Sequence, residues 1–169
     1  MPDEVPTYDI CSHCGVCCTG AFFSHVPLVK PDDRAKLEAH GYEFGDETTN
    51  EYPLPCQFQQ GALCSIYHSR PHICGAYRCE VLRSADRGEM TQDEAVGHAR
   101  ELVRLYRDLR SRMRPDETLA EMRERVKRLR AGEEETTPED AKLILAFYAF
   151  NIYADRHFHG AGERHVKYG

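Results

Sequence analysis

No apolar run in this sequence is long enough to cross a bilayer. The longest, Leu143 to Ala154, is twelve residues with Asn151 inside it, where a span needs roughly 20. Tryptophan is absent. There is no Gly-rich phosphate loop and no G-x-G-x-x-G, so a Rossmann-type site for S-adenosylmethionine (SAM) is hard to place. The C-x3-C-x2-C spacing of radical SAM enzymes is missing as well. The opening Met-Pro-Asp-Glu-Val-Pro is acidic and lacks an apolar stretch, so no secretory leader is expected and the chain is placed in the cytoplasm. Basic excess is lacking too: a net charge of −6 argues against bulk nucleic-acid affinity. With 41% apolar and 30% charged residues over 169 positions, the composition is that of a folded globular chain, one domain or a core with an appendage.

Eight cysteines are what is there. They fall below the roughly 8–10% density of a disulfide scaffold, and a reducing compartment disfavours four disulfides. Metal or cluster ligation is the expected use. Cys11, Cys14, Cys17 and Cys18 put four thiols in eight residues. A spacing of two lets a tight turn present both sulfurs to one ion, and Gly15 suits a turn needing positive φ. Three thiols so spaced match the C-x2-C-x2-C grip on an iron–sulfur cube, whereas zinc sites more often use separated C-x2-C pairs. Both metals stay open. Cys18 points away from its neighbour Cys17 in a turn or extended segment, so it serves a second site or packs as a free thiol. Cys56, Cys64, Cys74 and Cys79 follow, with seven, nine and four residues between them; one or two centres are possible.

The order Cys11-x2-Cys14-Gly15-x-Cys17-Cys18, Cys56, then Cys64-Ser65-Ile66-Tyr67-x2-Arg70-Pro71-x2-Cys74-x2-Tyr77-x-Cys79 resembles the YkgJ-type CxxCxxCC family. Its members are described as chelating zinc or iron and are related to flagellin lysine N-methylases. The match runs from residue 11 to 79. It implies metal or cluster binding by all eight cysteines and, at one remove, a lysine N-methylase-like activity. Gly75 departs from the family's pattern, which commonly has Arg after that cysteine, so an anion contact at that position is not carried over.

A centre held by four thiolates is anionic. Arg70 could neutralise it and donate to sulfur, with Tyr67 beside it; the plainer reading pairs Arg70 with a carboxylate and packs Tyr67. His13, His68 and His72 could each replace a thiol, since imidazole suits zinc, although eight thiols make that unnecessary. His157, His159 and His165 read as a frayed polar tail rather than a surface metal site.

The local patterns suggest an α+β chain, mainly α. Residues 1–85 form a cysteine-rich, metal-centred region: an extended lead-in over 1–10, a strand within 21–29 ending near Pro27, a short helix opened by Pro31, and a β-hairpin whose strands 56–58 and 62–67 flank a Gln59-Gln60-Gly61 turn. The region is poor in apolar residues, so a captured ion is expected to supply cohesion. Residues 86–169 form three helices packed on it. Thr91 caps the first, with Ala95, Ala99, Leu102, Tyr106, Leu109 and Met113 on one seam. Leu119, Met122, Val126 and Leu129 mark the second, and Thr137-Pro138-Glu139-Asp140 opens the third, apolar nearly all round and expected at the centre.

Residues 100–130 carry eleven Lys/Arg against six Asp/Glu, a local +5, while 1–55 carry three against ten, a local −7. The basic stretch is either a surface for an acidic protein partner over helices 91–130 or a solvated face with pairs such as Glu121–Arg125 and Glu124–Arg128. Three functions follow: a metal-binding protein with zinc or [4Fe–4S], a protein-modifying enzyme with an iron–sulfur centre, or a partner-binding scaffold stabilised by structural zinc.

Overall fold

The computed structural model of the chain describes residues 8–46 and 48–160. His165 and most of the expected lead-in lie outside the described residues; residues 8–10, expected to be extended, instead begin a helix. The chain divides into two compact units, one ending at Arg78 and the other opening at Cys79.

The first unit is built of short pieces. Helix α1 (Tyr8–Ser12) leads into a 3-10 turn over Val16–Thr19, flanked by Gly15 at φ 66° and Gly20 at φ 84°. Strand β1 (His25–Pro27) pairs antiparallel with β2 (Glu51–Pro53), with Val26 opposite Tyr52. The strand expected within 21–29 shrinks to three residues. Pro27 and Pro53 fall in the non-hydrogen-bonded pairs, where no N–H is needed, and bonds from Leu28 N–H to Asn50 O at 2.8 Å and from Leu54 N–H to Ser24 O at 3.0 Å close the two ends of the ladder. Helix α2 (Asp33–Glu38) lies between these strands in sequence. The hairpin is shorter and shifted from its expected place: Gln59 and Gln60, expected in the turn, are strand β3 and pair with β4 (Leu63–Cys64), leaving Gly61, at φ 63°, and Ala62 to make the turn. A 3-10 turn over Tyr67–Ser69 and helix α3 (His72–Ala76), preceded by Pro71, complete the unit.

Its core is Val26, Leu37, Tyr52, Phe58 and Ile66, with Tyr42, Phe44, Leu54 and Ile73 packed against it. Tyr42 meets Tyr52 edge-on at 4.8 Å and Phe44 at 4.6 Å. The unit therefore has more apolar cohesion than its composition suggested. The aromatic rings gather from positions far apart in sequence.

The second unit is helical: α4 (Glu80–Asp86), α5 (Gln92–Ser111), α6 (Leu119–Arg130) and α7 (Pro138–His157). The sequence reading missed α4. Thr91, Thr118 and Thr137 each accept a backbone N–H three residues on, and Glu94, Glu121 and Asp140 return the bond. These reciprocal caps satisfy helix donors that have no intrahelical partner. Ala95, Ala99, Leu102 and Leu109 are buried along the α5 seam, while Tyr106 and Met113 are half-buried. Helix α7 packs on both α5 and α6, yet Leu145 and Ile152 remain 70% and 58% exposed. Its apolar girdle exceeds what two neighbours can cover.

The expected helical ion pairs are not the ones formed. Glu121 is engaged in its cap, and Arg125 is buried between Glu117, at 2.7 Å, and Asp140, at 2.8 Å. Arg128 reaches Glu134 at 2.6 Å. A capping carboxylate is no longer free to meet a residue one turn on. The architecture is α+β and mainly α, with seven α-helices and two small antiparallel hairpins among the described residues.

Candidate metal centre

The loop carrying Cys11, Cys14, Cys17 and Cys18 is shaped by its glycine. With Gly15 left-handed, the Cys18 N–H donates to Gly15 O at 3.2 Å and the Cys14 N–H to Cys11 O at 3.1 Å. A Cβ on Gly15 would lie 2.8 Å from Ala62 Cα. Glycine is thus needed twice, for the backbone angle and for the close approach of the hairpin. Gln59 locks that approach: its Nε2 donates to Gly15 O at 2.9 Å and to Gly61 O at 2.8 Å. The Cys56 N–H donates to Cys18 O at 2.8 Å.

These ties put Cys18 in the company of the downstream thiols. Burial pushes the Cys18 thiol up to about 12, and the neighbouring Cys56, Cys74, Cys64 and Cys11 push in the same direction. Burial likewise raises Cys74 to about 11, with Cys56 and Cys64 adding to the rise and Arg70 opposing it. Cys64 is raised by burial, with the Ile66 N–H opposing. Cys11 is raised by burial against the pull of Arg78 and Arg70. Cys11 and Cys74 keep part of their residue surface in solvent, but the atoms crowding each sulfur still disfavour its anion.

The tertiary fold thus brings Cys11, Cys18, Cys56, Cys64 and Cys74 into one electrostatic neighbourhood from four segments. Cys14 and Cys17 lie between Cys11 and Cys18 on the same glycine loop. Cys79 is buried and precedes α4 at the start of the second unit. Among the described residues, no group of three or more His, Cys, Asp or Glu side chains stands close enough together to hold an ion. The donors fit a thiophilic ion by chemistry.

Three supports escaped the sequence reading. Asp33 is fully buried: its Oδ1 accepts the His72 N–H at 2.7 Å and its Oδ2 the Lys30 N–H at 2.9 Å. Burial opposes its charge, but the N–H groups of His72 and Lys30, with Lys36, hold its carboxyl below the usual range. It thereby moors α3, the helix of Cys74. Tyr52 donates its hydroxyl to Cys56 Sγ at 3.4 Å and accepts the Gln57 N–H at 2.9 Å. Burial, together with that sulfur bond, keeps the phenol protonated far into base. Gln59 is the third. Asp33 is legible in the sequence only as a first-turn carboxylate of α2, and no local pattern points to its bond with His72 or to the roles of Tyr52 and Gln59.

Arg70 lies over the Tyr67 ring, 3.6 Å from its centroid, and its Nη1 donates to Tyr67 O at 2.8 Å. Among the described residues no carboxylate pairs with it, and Cys11, Cys64 and Cys74 all feel its charge. His13 lies on the glycine loop beside Ser12, 3.4 Å from its hydroxyl, and His68 and His72 flank Arg70-Pro71. The frayed-tail expectation fails for two histidines. His157 ends α7 half-buried against His98, with ring centroids 4.4 Å apart. His159 is buried with its Nδ1 2.7 Å from Asp155 Oδ1. Capping and packing hold the chain in place through this point.

Fold and site together define a mainly α, two-unit protein with a thiol-rich first unit. The family model described as "CxxCxxCC: Putative zinc- or iron-chelating domain" matches residues 10–100. That is more than half the chain, and the chain belongs to this family. No match was found among curated proteins or solved structures. No helix among the described residues is long and apolar enough to cross a membrane.

Proposed function

We propose that the cysteine-rich region captures a zinc ion or an iron–sulfur cluster, in one or two centres, through thiolates drawn from Cys11, Cys14, Cys17, Cys18, Cys56, Cys64 and Cys74 of the first unit, with Cys79, which opens the second, the eighth candidate ligand. The supporting observation is the company of Cys18, whose thiol is buried within reach of the charges of Cys11, Cys56, Cys64 and Cys74. Five crowded sulfurs cannot ionise together without a cation, and a cation makes them mutually stabilising ligands. Arg70, backed by Tyr67, offsets the remaining negative charge, and Tyr52 donates to Cys56. Four thiolates closing on zinc make a structural site; an iron–sulfur cluster would add electron transfer.

Anaerobic purification followed by metal analysis tests this. A colourless protein with about one or two zincs, or a brown one absorbing near 400 nm with about four irons, supports the reading. A folded protein carrying neither metal, and unable to take up either, refutes it.

A second reading concerns helices 91–130. Arg100 and Arg107, seven residues apart on α5, are exposed and pair with no carboxylate among the described residues. That face suits an acidic protein partner. Association that fails to weaken as salt rises would exclude it.

A further inference from the structure

A cleft of about 480 Å³ opens on the first unit, lined by Lys36, Tyr67, His68, Arg70, His72 and the bare backbone at Gly75. It is shallow and open to solvent, with room for a small anion rather than an enclosed ligand. Its chemistry is one-sided: ammonium, guanidinium and two imidazoles line it, and no Asp or Glu does. Lys36 is already shared with Asp32, at 3.0 Å, and Asp33, at 3.4 Å, so Arg70 is the cation left to a ligand.

Arg70 is also the group held in advance. The Tyr67 ring lies against one face of the guanidinium, and Nη1 is committed to Tyr67 O at 2.8 Å. On the Gly75 side the fit is equally close. A Cβ at Gly75 would stand 3.4 Å from Arg70 Nε and 3.6 Å from Nη2, so any larger residue there would cover that edge of the fork, and glycine does not. An edge with two parallel N–H groups suits an oxyanion, which it binds bidentately.

We propose that this cleft binds an oxyanion, a carboxylate or phosphate group of a small molecule, on the Nε–Nη2 edge of Arg70. His68, His72 and Lys36 line the remainder. Cys74 lies on the same helix as Gly75, so the ligand would sit beside the thiols. The inference goes beyond metal capture: none of the cleft residues is a proposed metal ligand, although Arg70 also faces the charge of the thiol centre in that reading, so metal content is measured beside binding.

The test is calorimetric titration of the full chain, as purified, with inorganic phosphate and separately with succinate, with metal content measured on the same samples. Saturable binding of one equivalent of either probe, weakened at least tenfold by Arg70→Gln, is the expected result. Phosphate alone would identify a phosphate group, and succinate would identify a carboxylate. Gly75→Asp, which places a carboxylate against the Arg70 fork, abolishes binding even if Arg70→Gln folds poorly. No saturable uptake of either probe by the unmutated chain, or unchanged uptake by Gly75→Asp, overturns the proposal. Metal content reports separately on the thiol centre.

Discussion

The side-chain amide of Gln59 donates to the carbonyl of Gly15 at 2.9 Å across 44 positions of sequence. It fastens the hairpin to the glycine loop where a Cβ on Gly15 would strike Ala62. Gly15→Ala is therefore expected to destabilise the first unit by about 2–4 kcal/mol, combining left-handed strain with overpacking. Gln59→Ala should lose about 1–2 kcal/mol. Urea denaturation followed by tyrosine fluorescence checks both, and equal stability of Gly15→Ala would contradict the close approach.

Asp33 moors α3 through its bond from the His72 N–H. Asp33→Ala leaves partly or fully buried donors unanswered and should lose about 2–4 kcal/mol. The pH dependence has a definite sign. The folded carboxyl titrates below its ordinary value, so its contribution is complete above about pH 4 and disappears as pH falls through the lower folded value. The stability gap between wild type and Asp33→Ala should therefore narrow as pH falls below about 4.

Arg125 is 4% exposed between Glu117 and Asp140, themselves 8% and 12% exposed. Arg125→Ala leaves two buried carboxylates without their cation and should cost about 3–5 kcal/mol. Arg104, 63% exposed beside Glu101, is the control, and its alanine variant should change stability by less than about 1 kcal/mol. Thermal denaturation of the two variants side by side separates buried from surface pairing.

Metal capture must displace protons, because burial holds Cys18 at about 12 and Cys74 at about 11. These thiols are protonated at neutral pH in the metal-free chain. Affinity for zinc should therefore strengthen from pH 6 to pH 8, with roughly one proton released per ligating thiol. A chelator competition series with a pH indicator measures both. Cys18→Ser should lower the bound metal, and unchanged stoichiometry would remove Cys18 from the ligand set.

Several features could be read from the chain alone because their chemistry is local. Thr91 and Thr137 open helices since a hydroxyl reaches an N–H three residues on, and Gly61 marks its hairpin since the turn needs positive φ. The ordered cysteines, with Gly15, Tyr67, Arg70 and Pro71, were enough to indicate the family. Helix α4 escaped because Cys79, at its N-terminus, makes no side-chain cap bond. The ion pairs of Arg125 escaped because spacing along a helix says nothing of a carboxylate on the next one.

What the sequence by itself determined is the supply of thiols, the starts of the long helices and the absence of a membrane-spanning run. Only the tertiary structure decided which thiols share a neighbourhood, because Gln59 to Gly15, Asp33 to His72 and Cys56 to Cys18 are bonds between distant segments. Such bonds depend on where the backbone passes in space, and no local spacing encodes that.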